Sequence, residues 1–315
     1  MKSFLQWLKR SIYDPTDIEL RYQTIDDAIK RIESLVRVME ERTRTIEYVS
    51  HQLIFANKYQ IDFLQRMYTE ILPRLPDFGN ENCFNAAAVI GLETDHPIAY
   101  ESNDHLNPDS TTEGIARPTL FVQDCIRVIG RDMTCLDLGT GSAGLVYEFA
   151  MNGVLSVGVD GSDFCRVNRV GYWPLLENNL FTCDITKPFK FVSKKDHKQK
   201  NFQIITMWEV LEHLAEQDLP LLLRNIASHL DDKGYFIGSV SLLEYRDDAG
   251  NPYHVTLKSR GWWESKFKEN GLVILERHPF SEHFFCRGNG PRYQDYHNYH
   301  RQPNEGFLFV SKKIN

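Results

Sequence analysis

The stretch Thr134–Asp160, TCLDLGTGSAGLVYEFAMNGVLSVGVD, decides the fold. Cys135, Leu136 and Leu138 form a short apolar run of the kind a parallel sheet buries, and Gly139, Gly141 and Gly144 follow at once. Without a Cβ, such glycines let the backbone turn sharply and approach a ligand, while the helix predicted from about Ser142 to Asn152 points its N–H groups at it. Val154–Val159 reads as a second strand with Asp160 at its carboxyl end. Ligands bind there in an open α/β sheet, and an acid at that place accepts ribose hydroxyls. The unit is a grip for a nucleotide-bearing cofactor.

Gly139-x-Gly141-x-x-Gly144 satisfies the dinucleotide fingerprint, and its spacing to Asp160 fits NAD as well as S-adenosylmethionine. Asp137 tilts the balance. A pyrophosphate would be repelled by an acid so near the first glycine, whereas a sulfonium cofactor with a free ammonium tolerates it.

With these residues the chain resembles the class I S-adenosylmethionine-dependent methyltransferases, from about Arg117 to Lys313. LDLGTGSAG is similar to the family's first motif, which implies that Asp137, Gly139, Thr140 and Gly141 face the methionine part of the cofactor; the family more often has Gly where this chain has Ala143. VGVDGS is similar to the second motif and implies Asp160 and Gly161 at the ribose. Cys183-Asp184-Ile185 ends a short strand where the family contacts adenine, and ITMWEVLEHL, Ile205 to Leu214, matches the end of the fourth strand and puts Trp208 beside the reacting centre. The resemblance implies a Rossmann-like, doubly wound α/β sheet of seven strands with the last antiparallel. The remaining patterns agree: strands at Gln203–Met207, Tyr235–Val240, Leu272–Glu276 and Phe307–Lys312, and helices over Pro118–Ile129, about Gln217–Leu230 and Ser259–Asn270.

Composition narrows the partners. The 315 residues carry a net charge of −7 without a Lys/Arg stripe interleaved with aromatics, so no nucleic-acid partner is expected. The six cysteines form no CxxC pair and read as buried free thiols of a reducing, cytoplasmic compartment. No apolar run approaches the length of a bilayer span, and the start lacks the apolar core of a secretory signal.

The chain ahead of this domain, assigned to 117–315, is of another kind. Residues 16–72 contain neither Gly nor Pro. Ile29, Val36, Thr43, Ser50, Asn57, Leu64 and Ile71 at a, with Ile25, Ile32, Met39, Ile46, Leu53, Gln60 and Met67 at d, make a heptad seam with a polar middle. Two readings stand, a coiled coil that makes a homo-oligomer and a helix folded onto its own domain. Residues 1–15 are amphipathic and basic at their start, a segment that would touch an anionic membrane surface or cap the helix. Residues 73–116 form a polar connector carrying His105. It resembles a segment ahead of the core in bacterial methyltransferases encoded with sugar and polysaccharide enzymes, which implies a substrate lid; a solvated loop is the alternative.

Methyl transfer from a sulfonium is an in-line displacement, and an oxygen nucleophile also needs a base or a metal to shed its proton. Glu209-x-x-Glu212-His213 resembles the divalent-cation site of ubiquinone-biosynthesis O-methyltransferases, which implies Glu209, Glu212 and His213 as metal ligands or, without metal, as positioning and catalytic groups. His254, after the fifth strand and beside Tyr253, is the expected general base, with a structural imidazole as the alternative. The insertion 279–305 would cover the same rim, where Phe284, Phe285, Tyr293, Tyr296 and Tyr299 suit a sugar ring and Arg287 and Arg292 a phosphate; a packed aromatic loop with no ligand is the alternative. The expectation is methyl transfer to a hydroxyl of a sugar, nucleotide sugar or glycan. A noncatalytic cofactor-binding scaffold and an NAD-dependent oxidoreductase are the alternatives.

Overall fold

The computed structural model describes residues 2–3, 6, 30–39, 42–43, 82–108, 117–246, 250, 252–289 and 297–314. The chain divides into two units, Met1–Pro76 and Asp77–Asn315. In the first, residues 30–39 are α-helical and Ile32, Val36 and Met39 of the expected seam are exposed. Most of the seam and of residues 1–15 lies outside the described residues. Among the described residues no helix is long and apolar enough to cross a membrane.

The second unit is built on a seven-stranded sheet. Its strands are β2 (Thr134–Leu138), β3 (Leu155–Asp160), β4 (Leu180–Thr182), β6 (Phe202–Trp208), β7 (Leu230–Ser241), β8 (Leu272–Ile274) and β9 (Gly306–Lys313), in the order β4-β3-β2-β6-β7-β9-β8. The first five strands of that order run parallel, and β9 is antiparallel to both β7 and β8. Every residue of β2 and β3 is buried, as continuous apolar strands covered on both faces must be. Helix Thr119–Ile129 puts Phe121, Val122 and Cys125 on one face of the sheet, and helix Leu219–His229 adds Leu222, Leu223 and Ile226 to the core. Helix Arg260–Glu269 starts where Ser259 accepts the Trp262 N–H, and its Trp263 and Phe267 are buried.

Two features depart from expectation. The strand expected from Tyr235 starts earlier, at Leu230, so that Asp231-Asp232-Lys233-Gly234 is part of β7. The connector is more than polar loop: β1 (Ile90–Thr94) pairs antiparallel with β5 (Phe189–Ser193) in a separate two-stranded sheet. That pairing anchors the connector beside the carboxyl ends of the parallel strands, because Thr94 is followed directly by the segment that crosses them.

Candidate active site

The glycine turn is locked from several directions. Gly139 and Thr140 both donate their N–H to the Val159 carbonyl, at 2.8 and 3.0 Å. Gly139 sits at φ +77, and a Cβ there would stand 2.4 Å from Cγ2 of Val210, so only glycine fits. The Gly141 N–H donates to Asp160 at 2.8 Å, and the Gly141 carbonyl accepts the indole N–H of Trp173 at 2.8 Å. Ala143 lies in the left-handed region at φ 64, which accounts for glycine being usual there.

Asp160 also accepts the Ser162 N–H at 2.9 Å. Burial pushes its carboxyl up to about 7 against these two bonds. Asp137 is buried too, accepts the Thr206 hydroxyl at 2.7 Å and is raised by burial to about 6. Cys183 is buried, its thiol raised by burial to about 11, and Ile185 is buried beside it. The Asp184 carboxylate turns back onto Thr186, accepting from its N–H and hydroxyl at 2.9 and 2.6 Å, so this side chain shapes its own turn. Trp208 packs edge-on against Phe121 and Phe285, and its indole N–H is buried without a partner among the described residues, as is the Ser239 hydroxyl.

At the next strand ends, side chains converge. His254 Nδ1 lies 2.7 Å from the Leu243 carbonyl. A carbonyl only accepts, so Nδ1 carries the proton and Nε2 keeps its lone pair. Burial, then the charge of His213, holds this imidazole below its ordinary pKa. His213 stands 4.8 Å from His254 and 4.9 Å from Tyr253, ring centre to ring centre. Burial would depress His213, but Asp104 at 3.6 Å, then Glu212 and Glu209, outweigh it and hold it above its ordinary value. Glu212 is fully buried and raised by burial to about 8; one oxygen accepts the Ser241 N–H at 2.8 Å and the other has no partner.

Glu209 stands apart from this cluster. Its backbone is left-handed at φ 54, and its carboxylate accepts the Tyr299 hydroxyl at 2.5 Å. Among the described residues the three groups whose ligand atoms lie within 4.8 Å of one another are Glu212, His213 and His254. The geometry thus groups His254, rather than Glu209, with two of the three residues expected from the resemblance, Glu212 and His213.

The insertion also differs from expectation. Phe285 and Tyr299 are buried, and Phe284 packs against the same cluster, because the apolar face of helix Thr119–Ile129 and Trp208 has to be covered. Tyr299 fills a slot left by Gly288 and Gly306, where a Cβ on either glycine would meet its ring at 2.3 Å. Arg287 is half-buried and has no carboxylate partner among the described residues. Arg292, Tyr293 and Tyr296 lie outside them.

From the connector, Ala99 donates its N–H to the Gly161 carbonyl at 2.8 Å, and a Cβ on Gly161 would stand 3.3 Å from that of Ala99. His105 leans on Ser162, Nδ1 to Oγ 3.3 Å, toward the second motif. Its neighbour Asp104 does the reaching: it accepts the hydroxyl of the buried Tyr253 at 2.5 Å. Asp104, Trp173 and Tyr299 are the structural partners that sequence reasoning did not place. The 279–305 aromatics marked Tyr299 as notable, but no local pattern pointed to the other two.

A family model described as a methyltransferase domain matches residues 114–287, more than half of the chain. The chain belongs to the methyltransferase-domain family. Its cofactor is S-adenosylmethionine, and with the reversed last strand it is a class I enzyme of that kind. The dinucleotide alternative is thereby set aside. This methyltransferase has no match among curated proteins. Solved structures similar to it include a TehB-like S-adenosylmethionine-dependent methyltransferase from Corynebacterium glutamicum, 15% identical over 66% of this chain and 94% of that one, with a TM-score of 0.41. The 1,6-didemethyltoxoflavin-N1-methyltransferase of Burkholderia thailandensis is 14% identical over 66% and 82%, TM-score 0.44. A methyltransferase of Clostridium acetobutylicum is 12% identical over 68% and 96%, TM-score 0.41.

The residues present fit the cofactor. The turn at Gly139 leaves no room for a side chain, and the Asp160 carboxylate is aimed by two backbone N–H groups. The unpartnered Trp208 Nε1 and Ser239 Oγ lie at the carboxyl ends of neighbouring strands, where a ligand's acceptors would satisfy them.

Proposed function

We propose that this methyltransferase is O-directed and methylates a hydroxyl of a small polar acceptor, a sugar, nucleotide sugar or glycan. The observation that carries the proposal is His254, neutral by its surroundings, with its proton fixed toward Leu243 and a lone pair at Nε2. An oxygen nucleophile needs such a base; a neutral amine does not. The cofactor supplies an electrophilic methyl on a sulfonium. When bound, it would give up that methyl to the acceptor oxygen and keep the electron pair of the broken carbon–sulfur bond on sulfur, while His254 Nε2 would accept the hydroxyl proton. Asp137, Gly139, Thr140, Gly141, Asp160, Gly161, Cys183, Asp184, Ile185 and Trp208 hold the cofactor in this account. Tyr253, His105 and Arg287 are assigned to the acceptor in this account; Arg292, grouped with them from the sequence, lies outside the described residues.

A radiolabelled methyl-transfer assay over hydroxyl-bearing acceptors tests it: label should appear on oxygen and depend on His254. Intact binding of S-adenosylhomocysteine with no turnover on any acceptor would support the scaffold alternative instead.

A second reading adds a divalent cation on Glu212, His213 and His254. It is favoured by the buried, unpartnered Glu212 oxygen and by Leu243 holding His254 as outer groups hold metal-ligating histidines. Turnover lost to a chelator and restored by one cation would support it. For the first unit, self-association through the seam is supported by the exposed Ile32, Val36 and Met39 on helical residues 30–39. Light scattering should then give a multiple of the chain mass, falling to one chain when these three become Lys.

A further inference from the structure

The connector is tied down at both ends of the candidate site. On the cofactor side the Asp184 N–H donates to the His96 carbonyl at 2.9 Å, and the Ala99 N–H donates to Gly161. On the acceptor side Asn103 Nδ2 donates to the Pro252 carbonyl at 3.1 Å. Between these ties the strap delivers Asp104, whose side chain is about one-third exposed, at 31%. One carboxylate oxygen accepts from Tyr253 and the other faces His213 Nδ1 at 3.6 Å, an ion-pair rather than a hydrogen-bond distance. His213 Nδ1 is buried and has no hydrogen-bond partner among the described residues, and no other carboxylate among them is ion-paired with that ring.

We propose that Asp104 is the positioning residue of the acceptor site: once His213 is neutral, Asp104 holds the remaining ring proton on Nδ1 and so presents the Nε2 lone pair, as the Leu243 carbonyl does for His254. The proposal rests on the acceptor-site account above. It holds whether His213 serves as a base or as a ligand, since both roles need Nε2 unprotonated. A carboxylate that fixes an imidazole's tautomer without itself taking the proton is established chemistry in hydrolytic triads. Here that carboxylate comes from a segment ahead of the whole cofactor fold. The two imidazoles then share one arrangement, Nδ1 protonated toward a fixed oxygen and Nε2 open, reached from opposite sides by a loop carbonyl and a strap carboxylate. Tyr253 is held by the same carboxylate, so docking of the strap sets both walls at once.

The test is a tautomer measurement on the full chain labelled with 15N-histidine and saturated with S-adenosylhomocysteine, at a pH where both imidazoles are neutral. His213 and His254 are assigned by their Gln variants. In the wild type His213 should be in the Nδ1–H form. Asp104→Asn should return it to a mixture dominated by Nε2–H, Asp104→Glu should restore it, and His254 should stay unchanged throughout as the internal reference. An unaltered His213 spectrum in Asp104→Asn, or a mixture in the wild type, overturns the proposal. If Asp104 only holds the strap shut, its Asn variant will lose S-adenosylhomocysteine affinity with the tautomer intact, and that too overturns it. On a hydroxyl acceptor that the wild type methylates, Asp104→Asn should lower kcat about 10- to 100-fold, with the KM for S-adenosylmethionine within about twofold. If the wild type turns over no hydroxyl acceptor, the O-methyl account fails while the spectra still decide the role of Asp104.

Discussion

Around Gly139–Gly141 the contacts are made by backbone groups, by an acid 19 residues away, Asp160, and by the Trp173 indole, whereas around His254 a backbone carbonyl, that of Leu243, is joined by side chains drawn from segments up to 149 residues apart. The cofactor turn is thus fixed by the same short strand–turn–helix–strand unit that forms it. The acceptor end is fixed only when the strap, the loop after β6 and the loop after β7 have met. A small transferable cofactor needs the first kind of construction, because its shape does not vary. A variable acceptor is served by the second, because loops can change without disturbing the sheet.

The comparison breaks most visibly at His254. His254→Ala should reduce kcat by about 10²- to 10⁴-fold while calorimetry finds S-adenosylhomocysteine affinity unchanged; equal loss in both would mean the two ends are not separable. Next comes Gly139→Ala, whose Cβ would drive into Val210, the residue that begins the acceptor loop. Cofactor affinity should weaken about 100-fold, on the order of 3 kcal/mol, and retention of affinity would show that the turn has slack.

A smaller effect distinguishes the buried acids of the cofactor end. Asp160 titrates at about 7 in the fold against an ordinary 3.8, so between those values the folded chain keeps a proton that the unfolded chain has released. Stability must fall as pH rises through that window. Asp160→Asn should therefore match the wild type at the acid end and gain on it up to about pH 7, then run parallel. Unfolding midpoints measured across the range check this, and a gap that widens toward acid would contradict it. The smallest change is Ala143→Gly, which relieves a left-handed alanine and should add about 1 kcal/mol to stability by denaturant titration.

The same difference explains what the sequence disclosed. β2, β3 and the glycine turn were legible because apolar runs, glycine spacing and the terminal acid are local marks of local structure. So was the reversed last strand, through the family resemblance carried by four ordered motifs. Asp104 was illegible because its neighbours His105, Asn103 and Asn107 look equally like turn residues, and only the path of the strap selects one of them. The departure of Glu209 from Glu212 and His213 has a similar cause: its left-handed backbone turns it toward Tyr299, a residue beyond β8 whose position no spacing reveals. The insertion's aromatics were visible as aromatics, but whether they faced a sugar or Phe121 depended on which apolar surface lay uncovered.

The position of β9 has a consequence for how the protein is made. This strand is inserted between β7 and β8, and it contributes Phe307 and Phe309 to one face and Leu308 and Val310 to the other. Both β7 and β8 precede β9 in the chain, so each keeps an open edge until β9 has docked between them. The gap admits a foreign strand until β9 arrives. Docking of β9 between two strands that precede it in the chain is therefore the event that seals this part of the sheet.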